Sequence, residues 1–160
     1  MEGSIHAAGP GAPVSAHFVN NVLAAAASYI EDDPDYARDI LAELGQFLSH
    51  RLRETPAPVP ISQELAHVAT YMRLQQARFP ERIESDLADG SATGSRRVEP
   101  GSLQRPIAEA LSRRLSESAG PCALRLRAVG DGFELELSGQ GGADQERLAI
   151  ALTTVEGMLS

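Results

Sequence analysis

The sequence contains no lysine and one cysteine, and these two shortages exclude several kinds of site before any motif is considered. Without lysine, the chain has neither a lysine nucleophile nor the phosphate-binding lysine of a P-loop. A lone cysteine, Cys122, excludes an internal disulfide and a multi-cysteine metal site, and it is compatible with a reducing compartment. We expect Cys122 to be a small apolar core residue.

Positive charge and long apolar runs are also scarce. The 160 residues carry a net charge of -8, which argues against a protein that grips nucleic acid or anionic lipid. No apolar run approaches the length of a membrane span, and the N-terminus does not have the pattern of a secretory leader. We therefore expect a cytoplasmic protein that binds no nucleic acid and does not insert into a membrane.

The segment 14–30, VSAHFVNNVLAAAASYI, has the pattern of an amphipathic helix. Apolar residues recur every four positions, and a second polar and small-residue face carries His17 and, one turn later, Asn21. A histidine near a helix start, followed by a carboxamide and alanines, has an open approach to its imidazole. This arrangement suits a phosphoryl acceptor, but it also suits an ordinary surface histidine. His50 and His67 lack such a context, and we expect them to be surface or interhelical residues.

Periodicity predicts an α+β fold for the whole chain. Two more helices are expected, one from Pro34 to about Arg53 with Asp33 as its N-cap, and one capped by Ser62 and ending near Phe79. The second half is expected to contain a strand at 83–87, a helix at 100–118, a hairpin of strands 123–128 and 133–138, and a last helix from Asp144 to about Leu159. We divide the chain into a flexible tail (1–13), a helical domain (14–82) and a small α/β layer (83–160).

Several collinear motifs resemble those of the LytS-type sensor histidine kinases. The segment 16–24, AHFVNNVLA, resembles the family's histidine box, Pro-His-Phe-x-Phe-Asn-x-Leu-Asn, and agrees with it at four positions. These positions are His17, Phe18, Asn21 and Leu23. Asp33-Pro34 followed by Ala37-Arg38 resembles its Asp-Pro-x-x-Ala-Arg motif, and segments 60–65 and 71–79 resemble its third segment. The resemblance implies that the helical domain 14–82 serves dimerisation and histidine phosphotransfer, through a hairpin that dimerises into a four-helix bundle. Wide apolar faces on the two helices favour the same assembly.

The second half resembles the family's ATP-binding domain in layout but departs from it where nucleotide chemistry would occur. Glu109 stands where the family has an asparagine that helps to hold magnesium, and Gly139 stands where it has the aspartate that reads adenine. Its Gly-Ile-Gly-Leu turn is replaced by Ala149-Ile150-Ala151-Leu152, and side chains obstruct a backbone that must approach a triphosphate. We therefore predict a degenerate ATPase-like layer with no intrinsic cofactor.

The resemblance and the retained histidine together predict a histidine phosphotransfer protein of a phosphorelay. His17 would pass a phosphoryl group to or from the aspartate of a response-regulator receiver domain, and Asn21 would orient the phosphoryl group or a water. We expect no intrinsic metal site, and Mg²⁺ would be supplied with the receiver domain. Two alternatives remain open: a pseudokinase scaffold whose His17 is never phosphorylated, and an active kinase with an atypical nucleotide site.

Overall fold

The computed structural model describes residues 15–52, 57–88 and 96–152, which form four helices and six strands within these ranges. The helices are α1 (Ala16–Tyr29), α2 (Pro34–Arg51), α3 (Ile61–Arg78) and α4 (Gln104–Glu117). The strands are β1 (Val59–Pro60), β2 (Ile83–Leu87), β3 (Arg97–Val98), β4 (Cys122–Val129), β5 (Gly132–Ser138) and β6 (Glu146–Ile150). The predicted mixture of helix and sheet is confirmed. The tail 1–13 lies outside the described residues.

Helices α1 and α2 begin at side-chain caps and form a hairpin. Ser15 Oγ accepts hydrogen bonds from the backbone N–H groups of His17 and Phe18. Asp33 Oδ1 accepts one from Tyr36, with Pro34 at the first helical position, as predicted. The four residues between α1 and α2 leave room only for a tight reversal, so the two helices pack side by side.

Helix α3 packs against both members of this hairpin and begins two residues earlier than predicted. The prediction that Ser62 caps it is wrong, because Pro60 occupies the cap position and provides no side-chain hydrogen bond there. Pairing of β1 with β3 sets this start, since the N–H of Ile61 donates to the carbonyl of Arg96. Ser62 is consequently an exposed residue of the first turn.

A buried carboxylate on α3 holds the start of α4. Glu64 is 1% exposed, and its two oxygens accept backbone hydrogen bonds from Gly101, Leu103 and Gln104 at 3.0, 3.1 and 3.0 Å. Helix α4 has no cap from its own side chains, so Glu64 satisfies N–H groups that a helix start would otherwise leave unpaired. The contact fixes the position of α4 relative to α3.

The main sheet has the strand order β2-β4-β5-β6, with β2 parallel to β4 and the other pairs antiparallel. Side chains alternate along β4 and β5, and one face of the sheet is buried. Its apolar residues belong to the same core cluster as those of all four helices. The predicted hairpin is confirmed at the residues expected. Gly132 is required where β5 begins, because a Cβ there would lie 2.5 Å from the carbonyl oxygen of Ile150.

The predicted helix from Asp144 to Leu159 is wrong over residues 146–150, which form β6. Leu148 and Ile150 pair with Leu135 and Phe133 of β5, so sheet pairing overrides the helical propensity of this alanine- and leucine-containing segment. Residues 153–159 of that prediction lie outside the described residues. Among the residues that are described, none of the helices is long and apolar enough to cross a membrane.

Candidate functional site

His17 lies in the first turn of α1 with its side chain exposed. Ser15 caps the helix immediately before it, which leaves the imidazole near the positive end of the helix dipole. Asn21, one turn further along α1, is half-buried. The imidazole that the sequence singled out is therefore open to solvent, and Asn21 is its neighbour on the helix face.

The neighbouring residue, Phe18, anchors this end of α1 in an aromatic cluster. Its ring lies 5.6 Å from that of Phe47 on α2 and 5.7 Å from that of Tyr71 on α3, measured between centroids. The guanidinium carbon of Arg78 lies 5.9 Å from the Phe18 centroid. Because successive side chains of a helix diverge, the packing of Phe18 against α2 and α3 turns the ring of His17 outward.

A cavity of about 310 Å³ opens beside His17, between α1, α2, α3 and α4. All four helices contribute to its lining. The cavity therefore lies between α1, which carries His17, and α4, whose sequence resembles the family's asparagine-containing motif. Its described lining includes two arginines and no carboxylate. The lining residues are Ser15, His17, Phe18, Phe47, Arg51, Tyr71, Gln75, Arg78, Gln104, Ala108 and Ser112.

The two arginines have lost part of their hydration. Burial lowers the pKa of Arg78, and a weaker interaction with Tyr71 opposes the shift. Burial also lowers the pKa of Arg51, where the carboxylate of Glu64 opposes the shift and Arg105 adds to it. Both guanidinium groups stay protonated at neutral pH, because the arginine pKa is far above it. They give this part of an acidic protein a local positive charge.

A chain of polar side chains forms the α3 wall of the cavity. Arg78 Nη1 donates to Gln75 Oε1 at 2.9 Å, and Gln75 Nε2 donates to the hydroxyl of Tyr71 at 2.7 Å. Burial raises the pKa of Tyr71, although hydrogen bonding to Gln75 and Ser112 partly opposes the shift. The hydroxyl therefore stays protonated at neutral pH and can donate. Across the cavity, Gln104 on α4 is 3% exposed, and its Oε1 has no hydrogen-bond partner among the described residues.

His50 and His67 are interhelical residues, in line with expectation. Their ring centroids lie 4.1 Å apart, and His67 also stacks on Phe47 at 4.8 Å. Burial, with contributions from His50 and Arg51, lowers the pKa of His67 to about 3. His67 is therefore neutral at physiological pH and, being 6% exposed, is inaccessible to a docking protein. His17 differs from it in accessibility, which is the property that a phosphoryl acceptor needs.

The residues that depart from the family's nucleotide motifs are spread over separate elements. Glu109 is exposed on α4, and Gly139 precedes a single 3-10 turn at Gln140–Gly142. Ala149 is exposed on the edge strand β6, and Ala151 follows the end of that strand. Within the described ranges, no cluster of three or more histidine, cysteine or acidic side chains has the geometry to hold a metal ion.

Sequence reasoning predicted His17 and Asn21 as site residues; His17 lines the cavity and Asn21 does not, and the other polar lining residues were not predicted. Arg78 and Gln104 lay within motifs that resemble the family, yet nothing in their spacing showed that α4 would bring Gln104 close to α1. Arg51 was expected only as part of the amphipathic helix α2. No sequence signal could have found them, because the burial of Glu64, which brings the start of α4 to α3, is evident only from the structure.

Comparison with known proteins agrees with the motifs. A family model described as histidine kinase matches residues 12–83. Sensor protein LytS of Enterococcus faecalis is 27% identical over 149 residues, which cover 90% of this chain and 25% of that protein. Sensor protein LytS of Bacillus cereus is 28% identical over 142 residues, covering 86% of this chain and 24% of the relative. Sensor histidine kinase BtsS of Escherichia coli K12 is 25% identical over 136 residues, or 84% of this chain and 24% of the relative.

The chain thus spans about a quarter of the length of these curated relatives. The matched stretch extends well beyond residues 12–83 and includes most of the second half. The predicted resemblance to LytS-type sensor histidine kinases is confirmed.

Proposed function

We propose that this chain, a relative of the LytS-type sensor histidine kinases, is a histidine phosphotransfer protein of a two-component or phosphorelay system. His17 accepts a phosphoryl group from, or passes it to, the aspartate of a response-regulator receiver domain. The observation that carries the proposal is the exposure of His17 at the start of α1, beside a cavity lined by Arg51 and Arg78. A buried imidazole could not meet the aspartate of another protein.

The reaction is an exchange of one phosphoryl group between two nucleophiles. A neutral imidazole nitrogen of His17 attacks the phosphorus of the receiver's aspartyl phosphate, the P–O bond to the carboxylate breaks and a P–N bond forms. The unprotonated nitrogen of an imidazole is the nucleophilic one. The imidazole proton is then lost to solvent, and the reverse reaction restores the aspartyl phosphate.

The surroundings of His17 suit this transfer. The helix dipole and the two cavity arginines stabilise negative charge near the imidazole, while Asn21 can donate to a phosphoryl oxygen or orient a water. Mg²⁺ would come with the receiver domain, whose aspartate it accompanies. We further propose that the chain uses no nucleotide of its own, because Glu109, Gly139 and Ala149 replace the residues that the family uses to bind ATP.

Two incubations test this function against its alternatives. A receiver domain carrying a labelled aspartyl phosphate should label the chain, whereas labelled ATP with Mg²⁺ should not. Labelling by neither donor would support the alternative of a pseudokinase scaffold that only binds its partner. Labelling by ATP alone would show an active kinase with an atypical nucleotide site. The receiver to use is one whose gene neighbours that of this protein.

We also propose that the chain forms a homodimer through one side of the α1–α2 hairpin. On α1, Leu23 is 43% exposed and directly follows the buried Val22. On α2, Leu41 is 45% exposed and directly follows the buried Ile40. In an antiparallel helix pair, this offset places both leucines on the same side of the pair. A second copy covering that side would complete a four-helix bundle.

Introducing negative charge on this side should separate the dimer. We expect the wild type to sediment at twice the chain mass of 17.0 kDa and the double variant Leu23→Glu, Leu41→Glu to sediment as a monomer. Each glutamate would have to be buried without a partner, at a cost of several kcal/mol. Val129→Glu is the control, because Val129 is 55% exposed on β4, away from the hairpin. A wild-type monomer at micromolar concentration would contradict the proposal.

A further inference from the structure

The charge of the cavity beside His17 differs from that of the protein around it. The chain has 22 acidic and 14 basic residues, yet the described lining of this cavity contains Arg51 and Arg78 and no acidic side chain. The nearest buried carboxylate, Glu64, already accepts three backbone hydrogen bonds at the start of α4. The local balance therefore favours an anion.

The hydrogen-bonding groups of the cavity point to the kind of anion. Arg51 and Arg78 belong to different helices, α2 and α3, and both line the cavity. Arg78 uses Nη1 for Gln75, and its guanidinium has further N–H groups that can donate to oxygens. The cavity thus offers donors for anionic oxygens from two helices, and its described lining has no carboxylate to compete for them.

We propose that this cavity binds a phosphoryl oxyanion, with Arg51 and Arg78 donating to its oxygens. A phosphoryl group carries several anionic oxygens on one tetrahedral centre, so it can accept hydrogen bonds from guanidinium groups on two helices. The group has two sources, namely free inorganic phosphate and the phosphoryl group carried by His17 itself. In the second case the inference rests on the proposed function of His17 as a phosphoryl acceptor.

Inorganic phosphate is the first probe. Titration of the full chain, followed by the shift in melting temperature or by ³¹P NMR, should show saturable binding to the wild type. Arg78→Gln should weaken it about tenfold, the effect of losing one charge-assisted hydrogen bond, and Arg51→Gln should weaken it similarly. Arg73→Gln is the matched control on the same helix, because Arg73 pairs with Glu43 and does not line the cavity. Arg78→Lys should restore part of the binding.

Phosphoramidate is the second probe, and it needs no receiver domain. The imidazole of His17 attacks its phosphorus, the P–N bond to the amine breaks, ammonia leaves with the imidazole proton, and phospho-His17 forms. If the cavity holds this group, the ³¹P resonance of phospho-His17 should differ between the native wild type and Arg78→Gln. The resonance of the variant should lie close to that of the urea-unfolded chain. Arg73→Gln should leave the wild-type resonance unchanged.

The two probes together identify the source. If phosphate binding depends on Arg78 but the ³¹P resonance of phospho-His17 does not, free phosphate is the ligand. If the resonance depends on Arg78 but phosphate binding does not, the ligand is the phosphoryl group of phospho-His17. The inference is overturned if folded wild type neither binds phosphate in an Arg78-dependent manner nor shows a resonance that depends on Arg78. If phosphoramidate does not label His17, the phosphate titration decides alone. Failure of the receiver domain to transfer its phosphate would overturn the proposed function and leave these results intact.

Discussion

Replacing His17 by glutamine is expected to abolish labelling of the chain by a phosphorylated receiver domain. Glutamine retains a polar side chain of similar reach but offers no nucleophilic nitrogen, since the lone pair of its amide is delocalised. Positioning cannot compensate, because no bond to phosphorus can form. We expect the label to fall to background, a loss of at least about a thousandfold in rate given the typical contribution of a catalytic nucleophile.

His50→Gln is the matched control for this variant. His50 is half-buried on α2 and does not line the cavity, so the substitution should leave the transfer rate within about threefold of wild type. The label should be stable to alkali and lost in acid, as expected for a phosphoramidate bond and not for a phosphoserine. A His17→Gln chain that still accepts the label with wild-type kinetics would refute His17 as the acceptor.

The sequence predicted that His17 and Asn21 are neighbours but did not predict the cavity beside His17, and the reason is physical. His17 and Asn21 are four residues apart on one helix, so local geometry alone places them together. The cavity depends on α4 meeting α1, α2 and α3, with Gln104 separated from His17 by more than half of the chain. That contact follows from tertiary packing, which periodicity does not encode.

The fold shows the same division between local and distant causes. The cap at Asp33, with Pro34 after it, and the hairpin around Gly130 were predicted because short segments determine them. The segment 146–150 was assigned to a helix because its composition favours one. Its strand conformation depends on the unpaired edge of β5, which the sequence of the segment does not reveal.

Helix α3 illustrates how a distant contact determines the site. Its residue Glu64 is buried because it contacts another helix, and the sequence of α3 alone does not explain that burial. Glu64 lies in the first turn of α3, where a carboxylate is ordinarily a solvated partner of the helix dipole. Here it instead accepts backbone hydrogen bonds from the start of α4. This contact holds α4 against the core that it shares with α1, α2 and α3. The cavity beside His17 therefore depends on a contact located away from the histidine itself.

The variant Glu64→Gln is expected to destabilise the chain by about 3 kcal/mol, as measured by urea unfolding. A carboxylate has two acceptor oxygens for the N–H groups of Gly101, Leu103 and Gln104. A carboxamide has one, and its NH₂ group would face a backbone donor, so at least one buried N–H loses its partner. The substitution also removes the negative charge of Glu64, which stabilises the positive end of the α4 dipole and partly neutralises Arg51.

Glu43→Gln provides the matched comparison, because Glu43 also joins two helices through a carboxylate. It pairs with Arg73 at the protein surface, where the arginine side chain is 51% exposed, so its loss should cost at most about 1 kcal/mol. Amide exchange should distinguish the two variants further, with faster exchange at the start of α4 only in Glu64→Gln. If the two variants lose the same small amount of stability, Glu64 does not hold α4, and the walls of the cavity must be fixed by apolar packing alone.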